Sequence, residues 1–236
     1  MTVMIIGREK ELQLLREAYN DEYSQFVVEG EKMVQEALSS SFKVVAVYRE
    51  EEIGAENMAK ISQLSSPSPV LAVVEKPAPK GTALERGLYL GLDSVRDPGN
   101  MGTILRLADW FGIGTVFTSM DCVEVYNPKV VQASMGSVFR VKTFSCDLPE
   151  ICRRFRHMDL GVYGTFLYGK DIYAENLPSE GLIVMGNEAN GISDGVAAEV
   201  STRLLIPSFA EGRTAESLNV ATATAITLSE FRRRSR

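Results

Sequence analysis

The sequence predicts an α/β protein built on a parallel sheet. Short apolar runs alternate with segments of helical spacing along nearly the whole chain. That alternation argues for parallel strands covered by helices on both faces. Three of the apolar runs are each followed by a polar turn rich in glycine, asparagine or proline. Ligands of α/β sheets bind where strands end and such turns begin.

The first part reads as a small α/β layer domain over residues 1–78. Lys10 to Tyr19 places Leu12, Leu15 and Tyr19 at helical spacing. Gln25 to Glu29 is strand-like, Glu31 to Ser39 helical, and Lys43 to Tyr48 a strand. Asn57 to Leu64 forms a short helix and Val70 to Glu75 a strand. Lys76 to Arg86 (KPAPKGTALER) carries two prolines, a glycine and four charges, and reads as a linker. The boundary is drawn at 79–86.

A second α/β unit occupies 87–236. Its predicted strands are Leu88 to Leu92, Gly114 to Thr118, Leu160 to Thr165, Leu182 to Met185 and Arg203 to Ile206. Its predicted helices are Gly102 to Phe111, Lys129 to Met135, Leu148 to His157 and Leu218 to Arg233.

Composition narrows the function. The chain has 236 residues, of which 45% are apolar and 24% charged, so a core needs no staples. Three cysteines form no C-x-x-C pair and only one histidine exists, which argues against a zinc site. The odd cysteine count fits a reducing cytoplasm. Val3 to Ile6 is too short for a signal peptide, and no run approaches a membrane span. The net charge of −6 leaves a nucleic-acid partner open, because binding depends on local patches. Arg153, Arg154 and Arg156 form one basic cluster, and Arg232, Arg233, Arg234 and Arg236 another. Each is either a solvated helix end or an RNA contact.

Two nucleotide motifs fail on inspection. Gly164 to Asp171 fits G-x-x-x-x-G-K, but Asp171 stands where a P-loop needs Ser or Thr. Its bulky intervening residues suit a strand end and turn better than a phosphate nest. The turn after LIVM carries Glu188 where a pyrophosphate loop wants glycine. A cofactor without phosphates would not be repelled by it.

The three turn segments concentrate polar residues that the core does not use. In Asp93 to Gly112 (DSVRDPGNMGTILRLADWFG), Asn100 can cap a helix whose apolar face is Ile104, Leu107, Ala108 and Phe111. Arg106 falls opposite that face and is either functional or a surface partner of Asp109. Leu182 to Ser193 holds Gly186, Asn187 and Glu188. Leu205 to Glu230 holds Ser217, Leu218 and Asn219, followed by small residues on several faces. Ser217 is a candidate cap there.

These segments closely resemble, in order, the three motifs of the SpoU/TrmH family of S-adenosylmethionine-dependent RNA 2'-O-ribose methyltransferases. Asn127 to Val141 (NPKVVQASMGSVFRV) resembles the stretch between the first two, and the match spans about Leu88 to Phe231. Residues around FVVEGEKMVQEAL resemble an L30e-like substrate-binding domain. The resemblance implies a SPOUT-type sheet with a deep C-terminal trefoil knot, a homodimer, and S-adenosylmethionine as methyl donor without a metal. It implies that Arg106 is catalytic, that Asn100 helps place the substrate, and that Glu188, Ser217 and Asn219 complete the site. It places the donor against Thr165, Gly186, Asn187, Ile206, Ser217 and Leu218.

The implied reaction is in-line attack of a ribose 2'-oxygen on a sulfonium methyl group. A guanidinium holds its proton to a pKa above ~12, so Arg106 suits alkoxide stabilisation and phosphate binding better than a base role. Glu188 would hold Arg106 or order its own loop. The third-motif loop through Phe209 and Arg213 is longer than is common in that family. The first helix is poor in Lys and Arg, which shifts the expected RNA contacts to the Arg153 cluster, the tail or a partner subunit. Ribosomal RNA is favoured over transfer RNA as target. The alternative is a non-catalytic RNA-binding or ribosome-assembly factor on the same scaffold.

Overall fold

The computed structural model describes residues 24–78, 84–210, 212 and 216–234. The predicted helix at Lys10 to Tyr19, the Val3 to Ile6 run, residues 79–83 of the linker and Arg236 lie outside them.

Two sheets organise the chain. The smaller contains β1 (Gln25–Glu29), β2 (Val44–Arg49) and β3 (Val70–Glu75), with β3 central and antiparallel to both neighbours. Alternate side chains serve two layers, as the two-residue period of a strand requires. Phe26, Val28, Ala72 and Val74 face the main core, together with Met33, Val34 and Ala37 of α1 (Glu31–Ser39). Val27, Leu71 and Val73 face Met58 and Ile61 of α3 (Ala55–Ile61). Between β2 and α3 lies the one-turn α2 (Glu50–Ile53).

The larger sheet has six strands, all parallel, in the order β6-β5-β4-β8-β7-β9. They are β4 (Leu88–Leu92), β5 (Thr115–Thr118), β6 (Lys142–Ser145), β7 (Val162–Asp171), β8 (Gly181–Met185) and β9 (Thr202–Leu205). The helices are α4 (Pro98–Trp110), α5 (Pro128–Ser134), α6 (Leu148–His157), α7 (Asp194–Ala197) and α8 (Val220–Arg234). Central β8, read as GLIVM, is buried along its whole length. Its Ile183 and Met185 join the core beneath α4, α5 and α8, whereas Leu182 and Val184 join the one beneath α6 and α7. The second core centres on Phe155, which meets the rings of Tyr89 and Phe117 edge-on at 5.1 and 6.4 Å.

Aromatic packing ties the two sheets together. Phe26 lies 4.6 Å from Tyr126 and 6.1 Å from Phe139, and Phe42 lies 5.3 Å from Phe139. Lys76 pairs with Glu124 at 2.7 Å, and Arg140 pairs with Glu36.

Several expectations are corrected. Helix α4 starts at Pro98, before the predicted Gly102, because Asp97 is its cap: the Asn100 amide nitrogen donates to Asp97 Oδ1 at 2.7 Å. Asn100 therefore sits in the first turn with its side chain free for other partners. Asp109 does not pair with Arg106; it accepts from Arg140 and Ser137, each at 2.8 Å. The cap of α8 is Asn219, whose Oδ1 accepts from the nitrogens of Ala221 and Thr222 at 2.9 and 3.3 Å. Ser217 lies outside that helix. Strand β6 escaped prediction because KTFS is an edge strand with exposed ends and no apolar run. Strand β7 runs past the predicted Thr165 to Asp171, with Phe166 to Gly169 bulging between two pairings to Leu204. The G-x-x-x-x-G-K match thus lies in a strand, and Lys170 pairs with Glu175 at 3.1 Å.

Five arginines of the basic clusters are engaged within the fold. Arg153 and Arg156 pair with Glu199 at 3.3 and 2.8 Å. Arg232 donates to the carbonyls of Phe111 and Gly112 at 2.7 and 2.9 Å, fastening α8 to the end of α4. Arg233 and Arg234 share Glu230.

Candidate active site

Sheet order creates the site. Leu92 of β4 is paired with Met185 of β8, so both strands end side by side and their following loops emerge together. Asp93, only 3% exposed, stitches the two loops: its nitrogen donates to the Met185 carbonyl at 2.9 Å and its Oδ2 accepts from the Ser193 nitrogen at 2.7 Å. A buried carboxylate needs such partners to offset its desolvation.

Asn187 folds the second loop. Its Oδ1 accepts from the nitrogens of Ala189 and Asn190 at 2.9 and 3.1 Å, an Asx-type turn. Its Nδ2 donates to the Ser94 carbonyl at 2.7 Å, tying the loop to the first motif. Backbone pairing of Asn187 with Gly191 closes the turn. Gly186 is required sterically: a Cβ there would lie 2.3 Å from the Gly191 carbonyl carbon and 2.4 Å from the Ile192 nitrogen.

The three motifs converge on Asn100. Its Nδ2 donates to Glu188 Oε1 at 2.8 Å, and its Oδ1 accepts from Asn219 Nδ2 at 2.9 Å. Asn219 can reach because its other side-chain atom caps α8, fixing the ring of contacts from the helix end. Glu188 orders the first-motif helix through Asn100 and makes no contact with Arg106.

Arg106 stands apart from this junction. It is exposed on α4, six residues and thus about 9 Å along the helix axis from Asn100. Among the described residues its side chain has no hydrogen bond or ion pair. Gly102, one turn before Arg106, packs so tightly against α5 that a Cβ would meet Ala133 at 2.5 Å. That packing holds α4 in place, and Arg106 is exposed one turn further along it.

None of the remaining predicted residues is hydrogen-bonded to this junction among the described residues. Thr165 Oγ1 reaches the Val184 carbonyl at 3.5 Å and Met185 Sδ at 3.6 Å. Ile206 is half-buried against the main core. Leu218 is 49% exposed, and Ser217 is exposed without a hydrogen bond among the described residues. The sequence reading missed the linking roles of Asp93, Asp97 and Ser94. An acidic residue directly after the apolar run LYLGL was the available signal for Asp93.

Similarity to known proteins follows the same residues. The model of the SpoU rRNA Methylase family matches residues 87–229. The 23S rRNA (guanosine(2553)-2'-O)-methyltransferase RlmP of Bacillus subtilis is 28% identical over 223 residues, covering 88% of each chain. A TrmH-family structure from Porphyromonas gingivalis superposes with a TM-score of 0.86 at 38% identity, covering 99% of both chains. An AdoMet-bound rRNA methyltransferase from Sinorhizobium meliloti superposes with a TM-score of 0.80 at 28% identity, covering 99% of this chain and 97% of that one. With more than half of its residues matched by that family's model, the chain belongs to the SpoU rRNA Methylase family.

Proposed function

We propose that this protein transfers a methyl group from S-adenosylmethionine to a ribose 2'-hydroxyl of RNA, with ribosomal RNA as the substrate. The observation that carries the reading is the hydrogen-bonded junction of Asn100, Glu188 and Asn219, one residue from each motif. Family membership and the rRNA methyltransferase names of its relatives support it.

The loops fit such a cofactor by their chemistry. They offer backbone groups around Gly186, Asn187 and Ile206, apolar surface at Leu218, and a carboxylate at Glu188 that no cation contacts among the described residues. A positively charged ligand without phosphates suits that set. Thr165, Gly186, Asn187, Ile206, Ser217 and Leu218 would hold it. When bound, S-adenosylmethionine supplies an activated methyl group. Arg106 grips a substrate phosphate and stabilises negative charge developing on the 2'-oxygen. Asn100 positions the ribose, Glu188 orients Asn100, and Ser217 and Asn219 complete the polar wall.

The finer architecture is part of the same reading. Residues 1–78 form an L30e-like RNA-binding domain, 79–86 a linker and 87–236 the methyltransferase domain. A trefoil knot is supported by the chain path. Strand β9 is the edge strand beyond β7, yet Asn219 returns across the sheet to bond Asn100 beside β4. A homodimer is supported by the face of α4, where Trp110 is 85% exposed beside Arg106. The cytoplasm suits three free cysteines whose thiols burial pushes up, Cys146 to about 11 and Cys152 to about 12. Among the described residues no helix is long and apolar enough to cross a membrane, and no cluster of metal-ligating side chains occurs.

The test is incubation with methyl-labelled S-adenosylmethionine and total RNA, followed by nuclease digestion. Label in 2'-O-methylated nucleosides is expected. Cofactor binding without transfer to any RNA fraction would overturn the enzymatic reading and leave the non-catalytic factor.

A further inference from the structure

We propose that Asp121, which lies outside all three motifs, is a positioning residue for the second-motif loop. It acts through Ser94 on Asn187 and so on the neighbouring Glu188. The inference rests on the methyltransferase reading above.

The chain of contacts is continuous. Ser94 Oγ donates to Asp121 Oδ2 at 2.5 Å, and Ser119 Oγ donates to Asp121 Oδ1 at 2.7 Å. Arg96 Nη2 donates to Oδ2 at 2.9 Å. Ser119 Oγ in turn accepts from the Ser94 nitrogen at 2.8 Å. The carboxylate thus takes three donors, and two of these link it to Ser94, directly and through Ser119. Those same donors hold its carboxyl well below the usual carboxylate range, so it stays an anion at any working pH.

Ser94 needs that grip. Its φ is +59°, in the left-handed region that a serine rarely occupies. This backbone setting aims the Ser94 carbonyl at Asn187 Nδ2, 2.7 Å away. Asn187 shapes the turn that presents Glu188 to Asn100. Without Asp121, Ser94 keeps only its bonds to Ser119 and Asn187, and a relaxation toward a commoner conformation turns its carbonyl away more readily. A carboxylate on the β5 loop therefore sets the geometry of the second motif without touching substrate or cofactor.

A double-mutant cycle tests this. Asp121→Ala, Asn187→Ala and the double variant are compared in single-turnover methyl transfer to total RNA at saturating S-adenosylmethionine. Melting temperature is recorded for each. Asp121→Ala is expected to slow transfer about tenfold in the native background. It should slow transfer less than about twofold when Asn187 is already alanine. Ser119→Ala, which removes one link to the same carboxylate, should give a smaller loss of the same kind and serves if Asp121→Ala does not fold. Equal losses in both backgrounds, or no loss with Asp121→Ala and Ser119→Ala, overturn the inference. A native protein that transfers no methyl group would instead refute the methyltransferase reading.

Discussion

Asn100 donates to Glu188 at 2.8 Å across 88 positions of sequence. The contact makes Glu188 an acceptor that fixes the first turn of α4, a turn already set by the Asp97 cap. The carboxylate is exposed, so the bond's value is orientation more than stability. Orientation is what an in-line displacement demands, since a small misplacement of the reacting groups is costly.

Asn100→Asp should convert this contact into a repulsion between carboxylates. Two such groups at hydrogen-bond distance cannot both ionise easily, so one pKa rises. Lowering the pH then supplies the shared proton and restores the bond. Transfer by the variant is expected to increase as pH falls from 8 toward about 6, opposite to a native profile limited by 2'-hydroxyl deprotonation. Single-turnover rates against pH decide it, and parallel profiles would remove the contact from the mechanism.

Arg106→Ala and Arg106→Lys separate binding from chemistry. The side chain forms no hydrogen bond or ion pair with the residues proposed for the cofactor, so S-adenosylmethionine affinity should be unchanged by calorimetry. Transfer should fall about 10²- to 10³-fold in Arg106→Ala, the size typical of removing a donor to a developing oxyanion. Arg106→Lys should recover only part, because a point charge replaces a two-pronged fork. Unchanged transfer in both variants would exclude the role.

Much of this was legible in the sequence, and unevenly. Strand β4, strand β3 and helices α1 and α6 have the predicted bounds, because their apolar patterns are dense and their ends are marked by polar turns. The sequence does not single out the caps, since Asp97 and Asn219 are as good as Asn100 and Ser217 within three residues. Long-range links such as Asp93 to Ser193 and Ser94 to Asp121 depend on which strands become neighbours. No local periodicity encodes that order. The resemblance to the family named Asn100, Glu188 and Asn219 together, while only folding shows that Asn100 is their common partner.

Gly186→Ala should damage the second-motif loop, which is proposed to hold the cofactor. The added methyl group would sit within 2.4 Å of the backbone of Gly191 and Ile192, which cannot move without opening the Asn187–Gly191 pairing. Overpacking of this kind costs roughly 1–3 kcal/mol. The variant should melt several degrees lower and bind S-adenosylmethionine more weakly. Thermal scans with and without the cofactor measure both, and a native-like cofactor-induced shift would show that the loop tolerates the change.

The acid sensitivity of α8 should trace to Glu230. Its carboxylate accepts from Arg233 at 2.7 Å and Arg234 at 2.8 Å, which holds its pKa down to about 2. Arg234 also donates to the carbonyls of Glu175 and Tyr173, so the pair anchors the helix to the segment after β7. A depressed carboxyl pKa stabilises the fold in full above the unfolded value near 4.5. It loses that contribution as pH falls toward about 2. Glu230→Gln lacks the titrating group, so its melting temperature should lie below the native one at pH 7. The gap should narrow between pH 4.5 and 2. A constant gap across that window would mean that the ion pair contributes nothing and that the arginines dock on the carbonyls alone.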